Sequence, residues 1–195
     1  MNQPNDFHRS HELMSAGRSR LVIVDVQEKF VPHIAEADRV IEGCRRLLTG
    51  ANILDVSATA TEQYPKGLGA TVSPIVEFFE TRPEKLRFSA GEVLPWSLND
   101  DDGNARDQII LAGIETHICI LQTAFDFMER GLRVYVVADA VSSRSTTSHN
   151  LALQRLRDGG AVIVTVESVL FEWCEVAGTE QFKQISQLVR EPLPS

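Results

Sequence analysis

Three residues of types that carry acid–base and nucleophilic chemistry stand where apolar runs of this sequence end. Asp25 lies in the otherwise apolar run VIVDVQ, Lys85 precedes LRFS, and Cys119 closes the segment GIETHIC. Burial would raise the pKa of an aspartate and suit it to proton transfer. If Thr116 caps a helix, Cys119 falls in its first turn, where free N–H groups and the helix dipole favour a thiolate.

Each of these residues also has an ordinary structural interpretation. Asp25 could cap a nearby loop at the end of a strand, and Cys119 could be a small apolar residue inside a helix. Lys85 gains interest only if it lies near the other two, where an ammonium group would stabilise both a carboxylate and a thiolate. Position alone leaves these alternatives open.

The remaining cysteines and the histidines predict neither a disulfide framework nor a local metal site. Cys44 shares a helical stripe with apolar residues, and Cys174 lies in the apolar segment FEWCEV, so both are interpreted as packing residues. The five histidines include no HxH or HExxH pair. A metal site would have to be assembled from residues distant in sequence.

Composition limits the classes of function. The chain has 195 residues, of which 19 are Lys or Arg and 27 are Asp or Glu, giving a formal net charge of −8. An acidic chain argues against nucleic-acid binding, because phosphates need a basic surface. We find no apolar stretch approaching the ~20 residues that span a bilayer, so the sequence predicts a soluble, cytoplasmic protein that does not bind membranes.

Short apolar runs alternate with helical periods along the chain. The predicted strands are 21–27, 53–60, 85–89, 108–114, 132–140 and 161–168, and the predicted helices are 37–50, 116–131, 148–160 and 179–192. Gly50 and Gly131 are placed to end helices. This alternation predicts an α/β fold, a three-layer α/β/α sandwich with a six-stranded, mainly parallel sheet. We expect one domain over 19–195, preceded by a flexible arm over 1–18.

Ligands of such sheets bind beyond the carboxyl ends of the strands, so residues just after positions 26, 60, 114 and 140 are the candidates for chemistry. The turn after the first strand, VQEKFVPHIA, has no GxGxxG, and no GxxxxGK[ST] occurs in the chain. Gly67 and Gly69 form an isolated GxG that we interpret as a plain turn. Nucleotide-cofactor functions are therefore disfavoured.

The combination of motifs resembles the isochorismatase-like cysteine hydrolase superfamily. The segments that carry the resemblance are IVDVQEKF, K-x-x-F-S-A beginning at Lys85, and A-G-I-E-T-H-I-C ending at Cys119. TEQYPKGLGATV and VVADAVSSRS are similar, more narrowly, to the isochorismatase domain-containing branch. The resemblance extends from about residue 20 to about residue 190.

The resemblance implies a catalytic triad of Asp25, Lys85 and Cys119. It also implies a cis peptide bond between Ile114 and Glu115, and an oxyanion hole formed by the backbone N–H groups of Glu115 and Cys119. Cys119 would attack a carbonyl carbon and form a thioester, which water then hydrolyses with Asp25 as acid and base. This chemistry needs no cofactor.

Two departures from related enzymes narrow the activity. Nicotinamidases of the superfamily have a D-x-H metal motif where this chain has Glu62 and Tyr64, so we expect no catalytic metal. Isochorismatases proper cleave a vinyl ether without a cysteine nucleophile. The presence of Cys119 therefore favours cleavage of a C–N bond, in a small amide or carbamoyl compound.

Residues that follow the strand ends are candidates for binding this small-molecule substrate, although loop packing explains them equally well. They are Gln27, Phe30, Gln63, Tyr64 and Thr116. The roles of three other residues stay open. Trp96 could be a pocket wall or a subunit contact, and Arg144 could bind a carboxylate or cap a helix. His117 is not assigned as a base, because it is close to Cys119 on the predicted helix and residues one or two positions apart on a helix do not face each other.

A second class of function competes with the hydrolase. The same scaffold could be a catalytically silent module that acts through oligomerisation or by binding a partner. In either case the resemblance implies a homodimer or homotetramer. Rapid, pH-dependent alkylation of Cys119 relative to Cys44 and Cys174 would favour the enzyme.

Overall fold

A computed structural model describes residues 8–98 and 106–192. Six strands form one sheet in the order β3-β2-β1-β4-β5-β6, and every neighbouring pair is parallel. The strands are Ser19–Val24 (β1), Ser57–Gln63 (β2), Glu84–Lys85 (β3), Gln108–Ile114 (β4), Arg133–Ser142 (β5) and Val162–Val164 (β6). The α/β class with a six-stranded parallel sheet is confirmed.

Helices cover both faces of the sheet, which gives the three layers. They are Ala37–Ile53 (α1), Pro65–Leu68 (α2), Leu121–Glu129 (α3), Thr146–Asp158 (α4), Val166–Cys174 (α5) and Glu180–Leu188 (α6). Leu21 and Ile23 of β1 face the core under α1, α5 and α6, whereas Val22 and Val24 face the core under α3 and α4. Alternate residues of a strand point to opposite faces, so an unbroken apolar run suits a strand that is buried on both sides.

Some element boundaries differ from the sequence-based ones because tertiary packing overrides local signals. Helix α1 continues past Gly50 to Ile53. Gly50 does not end the helix; it allows close packing against Leu170, since a β-carbon at this position would lie 2.1 Å from the leucine side chain. The second strand therefore starts at Ser57 instead of residue 53. The sixth strand ends at Val164, and the rest of its predicted span enters α5.

The described part of the predicted arm, residues 8–18, packs on the domain. The Met14 side chain is fully buried, and its backbone N–H donates to the Glu172 carboxylate at 2.7 Å. The Arg9 guanidinium donates to the carbonyl oxygens of Met14 and Glu172, at 2.8 and 2.7 Å. Burial of Met14 and these hydrogen bonds favour an attached segment over residues 8–18, and the flexibility of the arm stays a prediction. Residues 1–7 lie outside the described residues.

No helix within 8–98 and 106–192 combines the length and the apolar character needed to cross a bilayer.

Candidate functional site

Asp25, Lys85 and Cys119 meet at the carboxyl edge of the sheet. Asp25 directly follows β1, Lys85 ends β3, and Cys119 lies in a π-helical turn, Thr116–Ile120, that follows β4. Because the strands are parallel, their carboxyl ends share one edge, and residues distant in sequence come together there.

Asp25 and Lys85 form a fully buried ion pair. The Lys85 Nζ lies 2.6 Å from Asp25 Oδ2, and both side chains have no exposed surface. The Thr61 hydroxyl donates to the other carboxylate oxygen, Oδ1, at 2.8 Å. Asp25 has a left-handed backbone, with φ of 54°, which few residue types other than Gly, Asn and Asp tolerate. A buried ion pair is tolerated when the remaining hydrogen-bonding groups of both side chains are also satisfied.

The Lys85 ammonium group has an acceptor for each of its three protons. Besides Asp25, it donates to Gln63 Oε1 at 2.7 Å and to the carbonyl oxygen of Phe88 at 2.8 Å. These contacts hold the positive charge in one position next to the carboxylate. They suit Lys85 to act as a fixed charge, since any hydrogen bond to a substrate would replace an existing one.

Cys119 completes the group. Its side chain is 3 % exposed, and its thiol is close enough to the Asp25 carboxylate for each group to shift the pKa of the other. Burial raises the pKa of the thiol well above its usual range, the negative charge of Asp25 raises it further, and the Lys85 ammonium opposes both. The expectation that the start of a helix favours a thiolate here is wrong for the resting protein, because desolvation and the neighbouring carboxylate outweigh the backbone N–H groups.

Burial also raises the pKa of Asp25, with Lys85 as the main opposing influence. Both acids of the pair therefore hold protons more strongly than free side chains do. When two acids interact this closely, their titration belongs to the pair. The arrangement favours one proton shared between Asp25 and Cys119, next to a positive charge that compensates whichever group is ionised.

The turn that presents Cys119 begins with two unusual backbone features. The peptide bond between Ile114 and Glu115 is cis, as the resemblance implies. Gly113 has φ of 114°, and a β-carbon there would lie 2.2 Å from the Val24 carbonyl oxygen. Glycine is required at this position because strand β1 leaves no space for a side chain. The residue before the π-helical turn is Glu115, so the condition considered for the sequence, that Thr116 caps a helix, is not met.

The predicted substrate contacts separate into two groups. Gln27 and Thr116 are fully buried and Gln63 is 6 % exposed, and all three bond to other protein groups. Gln27 donates to the carbonyl oxygens of Gln63 and Gly69, at 3.1 and 2.7 Å, and accepts the Gln63 N–H at 2.8 Å. Thr116 Oγ1 lies 2.9 Å from His149 Nδ1. These contacts support the local structure and leave the binding role of the three residues a prediction.

Phe30 and Tyr64 are the more accessible candidates. Phe30 is partly buried against the core beside α1, and Tyr64 is 51 % exposed. A cavity of about 330 Å³ at the β3 edge of the sheet is lined by Tyr64, Pro65, Lys66, Glu84, Lys85 and Leu86. Tyr64 therefore lies beside open space that also borders Lys85.

The three residues without an assigned role have defined partners. Trp96 stacks on Phe127, with ring centroids 6.0 Å apart, and the Arg20 guanidinium lies 4.7 Å above its ring. Arg144 bonds to the Glu115 carboxylate, and His117 Nδ1 lies 2.9 Å from the hydroxyl of Ser143.

The other sulfur atoms lie apart from the triad. Cys44 is fully buried in the core beside α1, and burial raises its pKa well above the usual range. Cys174 is partly exposed at the end of α5. Within the described part of the chain, no group of three or more His, Cys, Asp or Glu side chains could hold a metal ion. Glu62, at the position of the metal motif, instead accepts hydrogen bonds from Thr71 and Arg82.

Sequence reasoning assigned no role to three residues that contact the site or its turn: Thr61, Ser143 and His149. Thr61 lies two positions before Gln63 on the same strand. Because alternate residues of a strand point to the same face, the sequence could have indicated that the Thr61 side chain points the same way as that of Gln63. Ser143, in the connection between β5 and α4, and His149, in the first turn of α4, contact the turn that carries Cys119. Their proximity depends on β4 and β5 being neighbours in the sheet, which no local pattern encodes.

Comparison with known proteins identifies the family. The isochorismatase domain family matches residues 19–168. The chain belongs to the isochorismatase family. Membership in this family, together with the parallel sheet, supports a hydrolase-type fold.

Individual relatives agree over nearly the whole chain. Isochorismatase domain-containing protein 2A of Mus musculus is 43 % identical over 178 residues, which cover 90 % of this chain and 84 % of that protein. A solved structure of MAR1 ribonuclease from Caenorhabditis elegans has a TM-score of 0.83 at 36 % identity and covers 94 % of this chain and 95 % of that one.

A more distant structure shares the fold alone. The YcaC gene product of Escherichia coli, described as an octameric hydrolase of unknown specificity, has a TM-score of 0.81 at 18 % identity, over 93 % of this chain and 92 % of that one.

Proposed function

We propose that this protein is a cysteine hydrolase that cleaves a C–N bond, of the amide or carbamoyl type, in a small molecule through a thioester on Cys119. The observation that supports it best is the buried group of three side chains: a thiol beside the Asp25 carboxylate, with one oxygen of that carboxylate 2.6 Å from the Lys85 ammonium nitrogen. In such a group a proton can pass from the thiol to the carboxylate, which makes the sulfur a nucleophile without changing the net charge of the three side chains.

Proton transfer inside this group is the first step. The proton of the Cys119 thiol moves to Asp25, which leaves a thiolate, a neutral carboxyl group and the Lys85 ammonium. The total charge is the same before and after, so no new charge is created in a buried site. The raised pKa of Asp25 favours this transfer, because a carboxylate that holds a proton more strongly is a better base, whereas the raised pKa of the thiol opposes it.

Acyl transfer then follows. The thiolate forms a bond to the carbonyl carbon, and the backbone N–H groups of Glu115 and Cys119 stabilise the resulting oxyanion. Asp25 returns the proton to the departing amine as the C–N bond breaks, which leaves a thioester. Asp25 next takes a proton from water, the hydroxide attacks the thioester, and the acid leaves while the sulfur regains its proton.

The direct test combines turnover with intact-protein mass spectrometry. Wild-type protein is incubated with a panel of small amides and carbamoyl compounds, and an acyl adduct is sought by peptide mapping. We expect an adduct on Cys119 and loss of at least about 10³-fold in turnover in Cys119→Ala, because removal of a nucleophile leaves only binding and oxyanion stabilisation.

Cys174→Ser is the matched control, since Cys174 is partly exposed and distant from the triad; it should keep wild-type turnover. Turnover that survives in Cys119→Ala, or an adduct found on Cys174 instead, would contradict the proposal. Absence of both adduct and turnover across the panel, with sluggish alkylation of all three cysteines, would favour the catalytically silent module.

The printed name of the C. elegans structure makes RNA a necessary control substrate. The formal net charge of −8 does not favour phosphate binding by this chain. We therefore expect no RNA cleavage, and RNA cleavage that disappears in Cys119→Ala would replace the C–N hydrolase with a nuclease.

A further inference from the structure

The turn that carries Cys119 is fastened to the connection between β5 and α4 by three consecutive side chains. Glu115, Thr116 and His117 each contact a different residue of that connection or of the first turn of α4. The partners are Arg144 for the Glu115 carboxylate, His149 for the Thr116 hydroxyl and Ser143 for the His117 ring. Three adjacent contacts define the orientation of a turn more strictly than one would.

The contact at Glu115 joins a buried carboxylate to an exposed arginine. The Glu115 side chain is 2 % exposed, whereas that of Arg144 is 59 % exposed. Arg144 donates twice to Glu115 Oε2, from its backbone N–H at 2.9 Å and from Nε at 3.2 Å. A buried carboxylate is costly unless it is paired, so the arginine supplies the positive charge that allows this side chain to lie inside the protein.

The backbone of Glu115 is engaged as well. Its carbonyl oxygen accepts the N–H groups of Ile118 and Ile120, at 3.1 and 3.2 Å. Its own N–H belongs to the cis peptide bond that immediately precedes the turn carrying Cys119. With the carboxylate and the carbonyl both held, the plane of this peptide group has little freedom, and the direction of the N–H is fixed relative to the turn.

We propose that Arg144 is a positioning residue: by pairing with the buried Glu115 carboxylate it orients the Glu115 backbone N–H toward the oxyanion that forms when Cys119 attacks a carbonyl group. The inference rests on the proposed function. It also differs from direct binding of a substrate carboxylate by Arg144, because the effect passes through Glu115 and does not depend on charge in the substrate.

A test is available that needs no knowledge of the natural substrate. A small aldehyde adds reversibly to a cysteine: a bond forms from sulfur to carbon, the carbonyl π electrons move to oxygen, and the thiol proton passes to Asp25 and on to that oxygen. The adduct resembles the tetrahedral intermediate and blocks alkylation. The affinity of propionaldehyde is therefore measured as protection of Cys119 from iodoacetamide.

We expect Arg144→Met to weaken protection by propionaldehyde roughly ten-fold, because a misdirected oxyanion donor loses much of its effect. Alkylation without aldehyde should change less than aldehyde affinity does. Arg144→Lys should be intermediate, since an ammonium keeps the charge but loses the planar fork. Arg157→Met, at an exposed arginine near the end of α4, is the matched control and should behave as wild type.

Glu115→Gln provides a second route to the same result if Arg144→Met folds poorly, as judged by circular dichroism. It should reproduce the loss of protection, and adding Arg144→Met to it should cost little more, because the two residues act as a unit.

The outcomes separate the two proposals. Protection equal to wild type in both Arg144→Met and Glu115→Gln overturns the positioning role while leaving the hydrolase intact. A loss confined to glyoxylate, a charged aldehyde, with propionaldehyde unaffected, overturns it in favour of direct carboxylate binding. If wild-type Cys119 gains no protection from either aldehyde, the nucleophile itself is in doubt and the proposed function fails.

Discussion

Thr61 shows how one neighbour adjusts the acid of the site. Its hydroxyl donates to Asp25 Oδ1 at 2.8 Å, and this hydrogen bond lowers the pKa of Asp25 against the larger effect of burial, which raises it. Removing the hydroxyl should therefore raise the Asp25 pKa further. Protonation of both Asp25 and Cys119 stops proton transfer, so activity is lost as the pH falls through the Asp25 pKa.

Thr61→Val should accordingly move the acidic limb of the pH profile to higher pH. On the acidic side of the optimum we expect activity roughly three- to ten-fold below wild type, the net cost of one ordinary intramolecular hydrogen bond, with little change at the optimum. The measurement is Cys119 alkylation or amide turnover against pH. Thr59→Val, two residues earlier on β2, is the control; an equal shift in both variants would contradict the role of the hydroxyl.

At the scale of elements, the close contact between β1 and β4 controls the path of the chain into the nucleophile turn. Gly113 combines a φ of 114° with a β-carbon position 2.2 Å from the Val24 carbonyl oxygen. Neither strand can move away, because both are buried in the centre of the sheet between the two helical layers.

Gly113→Ala should destabilise the protein by about 2–4 kcal/mol, from backbone strain and overpacking together. The free energy of unfolding in urea measures it. Gly17→Ala serves as the control, since a β-carbon there meets nothing within 4 Å, and should change stability by no more than about 0.5 kcal/mol. Similar losses of unfolding free energy in the two variants would contradict this prediction, because they would show that β1 and β4 can separate enough to accommodate a side chain at position 113.

At the scale of the whole molecule, the first described segment is part of the folded unit. Met14 is fully buried, whereas its neighbour Leu13 is 39 % exposed. The segment is joined to the end of α5 through Glu172 and to β4 through Gln108, which accepts the Ser15 N–H at 2.8 Å. Residues near the start of the chain thus stabilise elements from its middle and its end.

Met14→Ala should cost about 2–4 kcal/mol of unfolding free energy, the usual loss for a buried methionine. Leu13→Ala, one position earlier, should cost less than about 1 kcal/mol because that side chain is partly exposed. Urea unfolding of the two variants measures both losses in unfolding free energy. Equal small losses would mean that the segment adds little to stability and that a loose arm is the better description.

The oligomeric state belongs to the same scale and stays a prediction. A homodimer or homotetramer would give two to four times the chain mass in sedimentation equilibrium. Several large apolar side chains are exposed in the single chain, among them Leu86, at 74 % exposure, and Phe88 and Tyr64, each at 51 %. Exposed apolar area of this kind is compatible with burial between subunits.

The sequence by itself determined the order of the six strands and of helices α1, α3, α4 and α6, because hydrophobic periodicity is a local property: the predicted strand 108–114 matches β4 residue for residue. Helices α2 and α5 were not predicted. The sequence also placed Asp25 at the end of a strand and Cys119 in the turn after one, whereas Lys85, which was expected to precede its strand, is the last residue of β3. The third strand was overextended, since only Glu84 and Lys85 pair with β2 at the sheet edge.

The tertiary structure decided the protonation of the site and the support of its nucleophile. The raised pKa of Cys119 follows from burial next to Asp25, which overrides its place at the start of a helix. The Glu115–Arg144 pair depends on β4 and β5 lying side by side. Desolvation and charge proximity are properties of three-dimensional neighbours, and neighbours brought together by sheet order leave no periodic signal in the chain.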